Sequence, residues 1–487
     1  MATKSSKVFY ITFAILAGIG FASCSKQLEE HPKLSNVNAF YETLQDAETS
    51  TGAIYPPLRP EGAHTYYQII SDALGDFLIP NNSWLPLNNY TILDNTNRNR
   101  TETIWEAFYL SIRNANLVIG NLPNSKTLSD EIKARYVGEA RFMRALLYFQ
   151  LVRNWGAIPL RTDQNMDQPD IPKSPESAVY DLIQNDLLYA EANLPDKGLQ
   201  GGRPSKWAAK AVLADVYLQL KNYPEALAKS QEIINSGKFS LVPVREATDF
   251  LNVFGPEVTG SPEEIFYLYY ARQSGHGNAM TLYEAHPNTP YANGAGYFSF
   301  YTDPTKINAF RDWDENDLRK QYNTYPFQFG RGDDTYLIRK FQDAQAITGG
   351  FGGNEYPWYR YTDVLAIFAE ASNEVNNGPT DEAVEALNQI HRRAYGYDAN
   401  APSPVDFSAA DYTKSTFLRL IVQERGYETL LEGKRWMELK RLNLVQEYIL
   451  ASKGLNVEST MLLWPIPLKE LNYNKAMDPV ADQNPGY

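Results

Sequence analysis

A mainly α-helical fold of stacked helix pairs, with a long loop-rich face and few short strands, is what these 487 residues predict. Three observations carry that prediction. Apolar residues recur at three- and four-residue spacing along most of the chain, the mark of amphipathic helices. Residues 205–235 read as two antiparallel helices with small residues where they meet. Residues 272–356 lose that periodicity and fill with Gly, Asn, Pro and aromatics.

In order along the chain, Ile104, Phe108, Ile112 and Ala115 share a helical face. Val137, Arg141, Arg144, Ala145 and Tyr148 repeat the spacing between residues 134 and 152. Ser174 reads as an N-cap with Pro175 at the first helical position, ahead of the stripe Val179, Leu182, Ile183 and Leu187. In the helix pair, Trp207, Ala211, Ala214 and Leu218 face one way, Asn222-Tyr223-Pro224 turn the chain, and Ala226, Leu227, Ile233 and Ile234 return it. Leu213, Ala214, Tyr217, Tyr223 and Ala226 match tetratricopeptide spacing, while the other pairs fit it less closely. Residues 263–271 are rich in β-formers and predict a strand. Helices resume at about 361–376, 381–395 and, as one long segment, 413–443. The Pro- and Asn-rich end, residues 462–487, is expected to wrap the surface.

Charge and composition narrow the function. Net charge is −13, from 45 basic and 58 acidic side chains, so a phosphate backbone is repelled and nucleic acid is not an expected partner. There are 33 Tyr, 22 Phe and 8 Trp. Most of these must pack a core, and a surplus of Tyr and Trp suits a surface that stacks on ligands. The only cysteine, Cys24, excludes a disulfide within the chain. Its position says more. Lys4 and Lys7 precede an apolar run over residues 8–21, followed by Ala22 and Ser23. Residues 1–23 therefore read as a lipoprotein signal peptide, Cys24 as the lipidated first residue, and residues 24–38 as a tether. Phe21 stands where such signals usually carry Leu.

Several blocks then look familiar. Gly138-Glu139-Ala140-Arg141-Phe142-Met143-Arg144-Ala145, Tyr148, Asn154-Trp155-Gly156 and Ile158-Pro159-Leu160 form the first. Arg360-Tyr361-Thr362-Asp363-Val364, with Ala369-Glu370-Ala371 and Asn373-Glu374, form the second. Gln423-Glu424-Arg425, Leu431-Glu432-Gly433-Lys434-Arg435-Trp436 and Leu439-Lys440-Arg441 form the third. Pro465-Ile466-Pro467, Glu470-Leu471 and Gln483-Asn484-Pro485-Gly486-Tyr487 close the chain. Together they resemble the SusD-like (SusD/RagB) family in order and extent. The resemblance implies four tetratricopeptide-like helix pairs and a surface-exposed lipoprotein of the outer membrane. It further implies a protein that captures glycans and passes them to a TonB-dependent SusC-like transporter, with no cofactor. On this pattern residues 39–260 and 261–487 are the N- and C-terminal regions of one structural unit. Some relatives handle peptides, which leaves a peptide ligand as the alternative.

Glycan binding needs flat rings to stack on sugars and amides or carboxylates to satisfy hydroxyls, carried on loops. Two segments qualify. Residues 72–90 hold Asp76, Asn82, Trp84, Asn89 and Tyr90; residues 291–301 hold Tyr291, Asn293 and Tyr297. The resemblance implies an aromatic arc on an early and a middle loop of this kind, which makes Trp84 and Tyr297 the expected stacking platforms, with Trp313 and Trp358 behind them. Glu424, Glu428 and Glu432 recur every four residues. Without histidine in that segment they predict ion pairs with nearby cations, not a metal site, and Glu370 and Glu374 read the same way. Asp312, Asp314 and Asn316 open like a calcium loop, but Asp317 stands where Gly is needed and Asn323 where Glu belongs. A glycoside hydrolase would need two carboxylates across one cleft. Nothing here resembles a β/α barrel, a Gly-x-Ser-x-Gly elbow or a His-Glu-x-x-His helix.

Overall fold

The computed structural model describes residues 40–487, and the signal, Cys24 and tether readings lie outside the described residues. After α1 (Leu44–Gly52) and α2 (Tyr66–Ala73), the body is a row of eight helices, each packed on the one before. They are α3 (Asn95–Asn121), α4 (Asp130–Trp155), α5 (Glu176–Asn193), α6 (Lys206–Gln219), α7 (Tyr223–Asn235), α8 (Tyr361–Val375), α9 (Asp381–Ala394) and α10 (Lys414–Glu428). Side-chain caps from Asp94, Ser129, Ser205, Thr380 and Thr413 start five of them, satisfying amides the helix leaves open. The fold is mainly helical, as predicted. The row is not sequential throughout: α7 packs on α8 across an excursion of the chain between them. That excursion is the loop-rich segment of the sequence.

Strands are few and short. β1 (Ile79–Pro80), β5 (Phe300–Thr302), β7 (Tyr336–Ile338) and β6 (Thr324–Pro326) form one sheet in the order β1-β5-β7-β6. β2 (Ile158–Pro159) pairs with β3 (Lys173–Ser174), and β4 (Glu264–Leu268) pairs antiparallel with β8 (Tyr356–Arg360). β4 falls inside the strand expected at 263–271. Ser174 differs from its reading as a cap. It sits in β3 opposite Ile158, and α5 starts behind Pro175 with no side-chain cap.

The long helix expected at about 413–443 is broken. α10 ends at Glu428, and a further helix, α11 (Arg435–Arg441), follows a tight turn. Leu431 and Gly433 both take positive φ there, 60° and 70°. The Asp72 carboxylate accepts the Leu431 N–H at 2.9 Å and the Gly433 N–H at 2.6 Å. A distant carboxylate thus holds the turn that periodicity alone does not reveal. Burial pushes this carboxyl up to about 7, partly offset by those two amides.

The glutamate row is an ion-pair network, as expected. Of the nearby cations expected to pair with it, Lys434, Arg435, Lys440 and Arg441, only Lys434 does, on Glu432, and the rest of its partners are distant in sequence. Arg360 bridges Glu428 at 2.5 Å and Glu432 at 2.8 Å, Arg319 reaches Glu424 at 2.9 Å, and Lys340 reaches Glu432 at 2.6 Å. Arg393 joins Glu428 to Glu263. Glu370 holds Arg441 and Glu374 holds Lys414. The network ties α8, α9 and α10 to the loop-rich segment at the centre of the molecule. The C-terminal stretch does more than wrap: Trp464 is buried, and Pro465 O accepts the Trp155 indole N–H at 2.9 Å.

Candidate ligand-binding site

The two loop segments singled out in the sequence lie side by side. β1 pairs with β5 through Ile79↔Tyr301 and Pro80↔Phe300. The pairing continues past the strands. The Asn81 N–H donates to Ser299 O at 2.8 Å, and its side-chain amide to Phe298 O at 3.2 Å. The Asn82 amide donates to Tyr297 O at 2.7 Å. The joint brings Trp84 and Tyr297 to opposite ends of one aromatic cluster.

Tyr283, on the short helix Met280–Glu284, is the middle of that cluster. Its ring meets Trp84 at 5.9 Å and Tyr297 at 5.4 Å, both edge-on. Tyr66, at the start of α2, stands 5.4 Å from Trp84, also edge-on. Edge-to-face packing of this kind fixes ring orientation. Tyr283 donates its hydroxyl to Glu61, and burial beside that carboxylate raises the phenol far above its usual range. Glu61 opens a π-helical turn, Glu61–Thr65, that leads into α2. Gly62 in that turn is required by packing, because a Cβ there would meet Thr103 Cγ2 of α3 at 2.7 Å. Arg100 of α3 sits over the indole, its Cζ 3.3 Å from the Trp84 ring centroid.

Exposure sorts the expected site residues. Tyr297 is 49% exposed, and Asn82 beside it is exposed with its amide oxygen free of hydrogen bonds. Trp84 is corrected: at 2% exposure, with Arg100 over its face, it is the floor of the cluster and no open platform. Asp76 is corrected as well. It is buried in a two-point ion pair with Arg435, at 2.7 and 2.8 Å, and takes no part in a ligand surface. Tyr90 is fully buried, its hydroxyl set against Leu74 O, Gly75 O and the Lys453 ammonium. The polar groups of Asp76 and Tyr90 are buried because each meets interior partners that satisfy it there. Trp313 and Trp358 are core residues.

The remaining candidates stand apart from the cluster. Asn89 is exposed. Tyr291 accepts from Arg339 at 2.8 Å and packs on Tyr325 at 5.0 Å. Asn293, in the left-handed region, donates to Ala346 O at 2.9 Å. Both pin residues 339–346 against the 291–293 turn. Asp312 and Asp314 are engaged by Arg311, Asn316 and Tyr395, and no group of three or more metal-ligating side chains occurs among the described residues.

Sequence reasoning missed Tyr66, Tyr283, Arg100 and Glu61. Tyr66, Tyr283 and Arg100 belong to helices, where aromatics and arginines pass as core and solvent residues. Pro60-Glu61-Gly62, a breaker before an apolar helix, is the one local signal that the chain is re-aimed there. A separate groove of about 830 Å³ runs past Trp207, Phe239 and Tyr269 and shares no residue with the cluster.

With this geometry in place, known proteins identify the lineage. One family model, the SusD family, matches residues 291–487, and a second, described as starch-binding associating with outer membrane, matches residues 62–218. The chain belongs to the SusD-like family. SusD-like protein P2 of Formosa agariphila is 29% identical over 99% of this chain and 100% of its own. A SusD homolog from Bacteroides thetaiotaomicron superposes with a TM-score of 0.78 at 20% identity, covering 94% of this chain and all of that one. A laminarin-binding SusD-like protein superposes at 0.73 with 22% identity over 92% of this chain and all of its own. No helix among the described residues is long and apolar enough to cross a membrane.

Proposed function

We propose that this SusD-like protein is a cell-surface lipoprotein that binds an oligosaccharide without cleaving it. Residues 1–23 direct export, Cys24 carries the lipid in the outer membrane, and the bound glycan passes to a TonB-dependent SusC-like transporter. The observation that carries the reading is the joint between the two loop segments. It places an exposed tyrosine ring beside a free amide oxygen over a rigid aromatic floor, the combination that sugar rings and hydroxyls require. The starch-binding description of the matched family and the laminarin-binding relative support glycan as the ligand class. In this reading Tyr297 is the stacking platform and Asn82 its polar neighbour, while Trp84, Tyr283 and Tyr66 hold the platform's angle.

Calorimetry of the chain starting at Ser25 against polysaccharides and peptides tests it. A glycan bound intact, and lost with Tyr297→Ala, is the expected result. Binding of peptides alone transfers the site to a peptide-uptake role, and cleavage of the glycan replaces binding with hydrolysis. A glycan whose binding survives Tyr297→Ala but is lost with Phe239→Ala places the site in the 830 Å³ groove instead.

A further inference from the structure

Arg100 differs from the arginines that pair with acids in the interior of this protein. Arg144, Arg319, Arg360, Arg393, Arg435 and Arg441 are buried, and each meets a carboxylate. Arg100 is half-buried, yet no carboxylate lies within 4 Å of it among the described residues. Three neutral acceptors hold it. Nη1 donates to Ser83 O at 3.0 Å and to Asn97 Oδ1 at 2.7 Å, and Nη2 donates to Ser83 Oγ at 2.7 Å. Asp94, the acid in its field, is engaged by the Asn97 amide and backbone N–H. Burial makes the charged form costlier, and Tyr66, Tyr283 and Asp94 offset that only in part.

The unused donors are specific ones. Among the described residues, both Nη1 hydrogens and one Nη2 hydrogen are taken, which leaves Nε–H and the second Nη2–H with no acceptor beside the guanidinium but the neutral Tyr66 hydroxyl. Those two form the side edge of the guanidinium, and the Nε is not buried from solvent. Elsewhere in this protein the same Nε/Nη2 edge grips a carboxylate at two points, as Arg144 does Asp186 and Arg435 does Asp76. Fork-to-carboxylate pairing is the arrangement that edge is shaped for. In Arg100 it is held over Trp84 in the cluster that ends in Tyr297, and among the described residues it meets no protein acid.

We propose that Arg100 receives a carboxylate of the ligand, so that the glycan taken by this site is acidic and built with uronate residues. This rests on the reading of the cluster as a glycan site. The tyrosine ring supplies stacking that any hexose satisfies; Arg100 supplies the charge selection. On a chain of net charge −13, such selection has to come from a local fork, because the overall field repels an anion.

The test is calorimetry with oligouronides (galacturonate, glucuronate and mannuronate/guluronate series), each against its own methyl ester. The ester keeps the sugar and removes the charge. The expected result is that one acid series binds, its ester binds about tenfold more weakly or not at all, and raising the salt weakens the acid form alone. Arg100→Gln removes the difference between acid and ester, and Arg100→Lys, which keeps the charge but not the fork, restores it only in part. Tyr297→Ala weakens both forms. Equal binding of acid and ester, or a preference that survives Arg100→Gln, overturns the carboxylate assignment while leaving the glycan reading intact. Binding of sulfated oligosaccharides alone also overturns it. Failure of every glycan, neutral or acidic, sinks the glycan reading itself. The acid–ester comparison needs only the unaltered protein, so it stands even if an Arg100 variant does not fold.

Discussion

Replacing Arg360 with methionine keeps most of the side chain's aliphatic bulk and removes its charge. The guanidinium donates to Glu428 Oε1 at 2.5 Å, to Glu432 at 2.8 and 3.1 Å and to the Glu428 carbonyl at 2.9 Å, all in the interior. Glu432 would keep Lys340 and Lys434, and Glu428 would keep Arg393 and Arg319. The loss therefore falls at the low end for a broken buried pair, about 3 kcal/mol. An unfolding entropy of roughly 1 kcal/mol/K for about 460 residues converts this to a fall of ~3 °C in melting temperature, if the chain melts as one unit. The surrounding cations hold the Glu428 and Glu432 carboxyls far below the usual value of 4.5. Carboxyls lowered by folding stabilise above their unfolded pKa, and the contribution is lost as pH falls through the folded one. The deficit of Arg360→Met is accordingly full at neutral pH and narrows only as pH falls below the values these carboxyls keep in the variant, where Arg393, Arg319, Lys340 and Lys434 still hold them low. Scanning calorimetry at pH 7 and pH 3.5 reads both. A variant that melts with the parent, or a deficit that grows as pH falls, refutes a network held by charge.

Two further predictions follow from single side chains. Glu284 is buried, its Oε2 accepting the Phe341 N–H at 3.0 Å and its Oε1 without a partner, and burial lifts its pKa from 4.5 to about 8. A carboxyl raised by folding favours the native state below its unfolded pKa and loses that benefit as pH rises through the folded one. Glu284→Gln should flatten the decline in melting temperature between pH 5 and 8.5, with a ceiling of ~5 kcal/mol for a shift of about 3.5 units. An unchanged slope would mean that another group carries it. Trp84→Ala and Tyr297→Ala separate floor from platform: the first should cost about 3–5 kcal/mol in urea unfolding and the second under ~1 kcal/mol. Equal costs would contradict the exposures that distinguish them.

Much of the helical body was legible because amphipathic periodicity is a local property. Its failures were also local in form and non-local in cause. The turn at 429–434 interrupts a pattern that reads as helix, because Asp72, far away in sequence, supplies the acceptor that makes the reversal favourable. Both loop segments proposed to bind the ligand were picked out from their composition. Which aromatics they present to solvent was not, since Trp84, Tyr90 and Tyr297 differ little in type or neighbourhood. Asp76 looked like a ligand carboxylate until Arg435 claimed it.

By itself, the sequence determined the helical class, the family, the charged row that must pair internally and the two loop segments that the fold brings side by side. Each of these depends on residue type and spacing within one segment, or on blocks in a known order. Tertiary structure alone decided that Tyr297 is open and Trp84 covered, that Asp76 is spent on Arg435, and that Arg100 is left without an acid. The physical reason is that burial and charge compensation are settled by partners hundreds of residues apart, and only the folded chain brings those partners within reach.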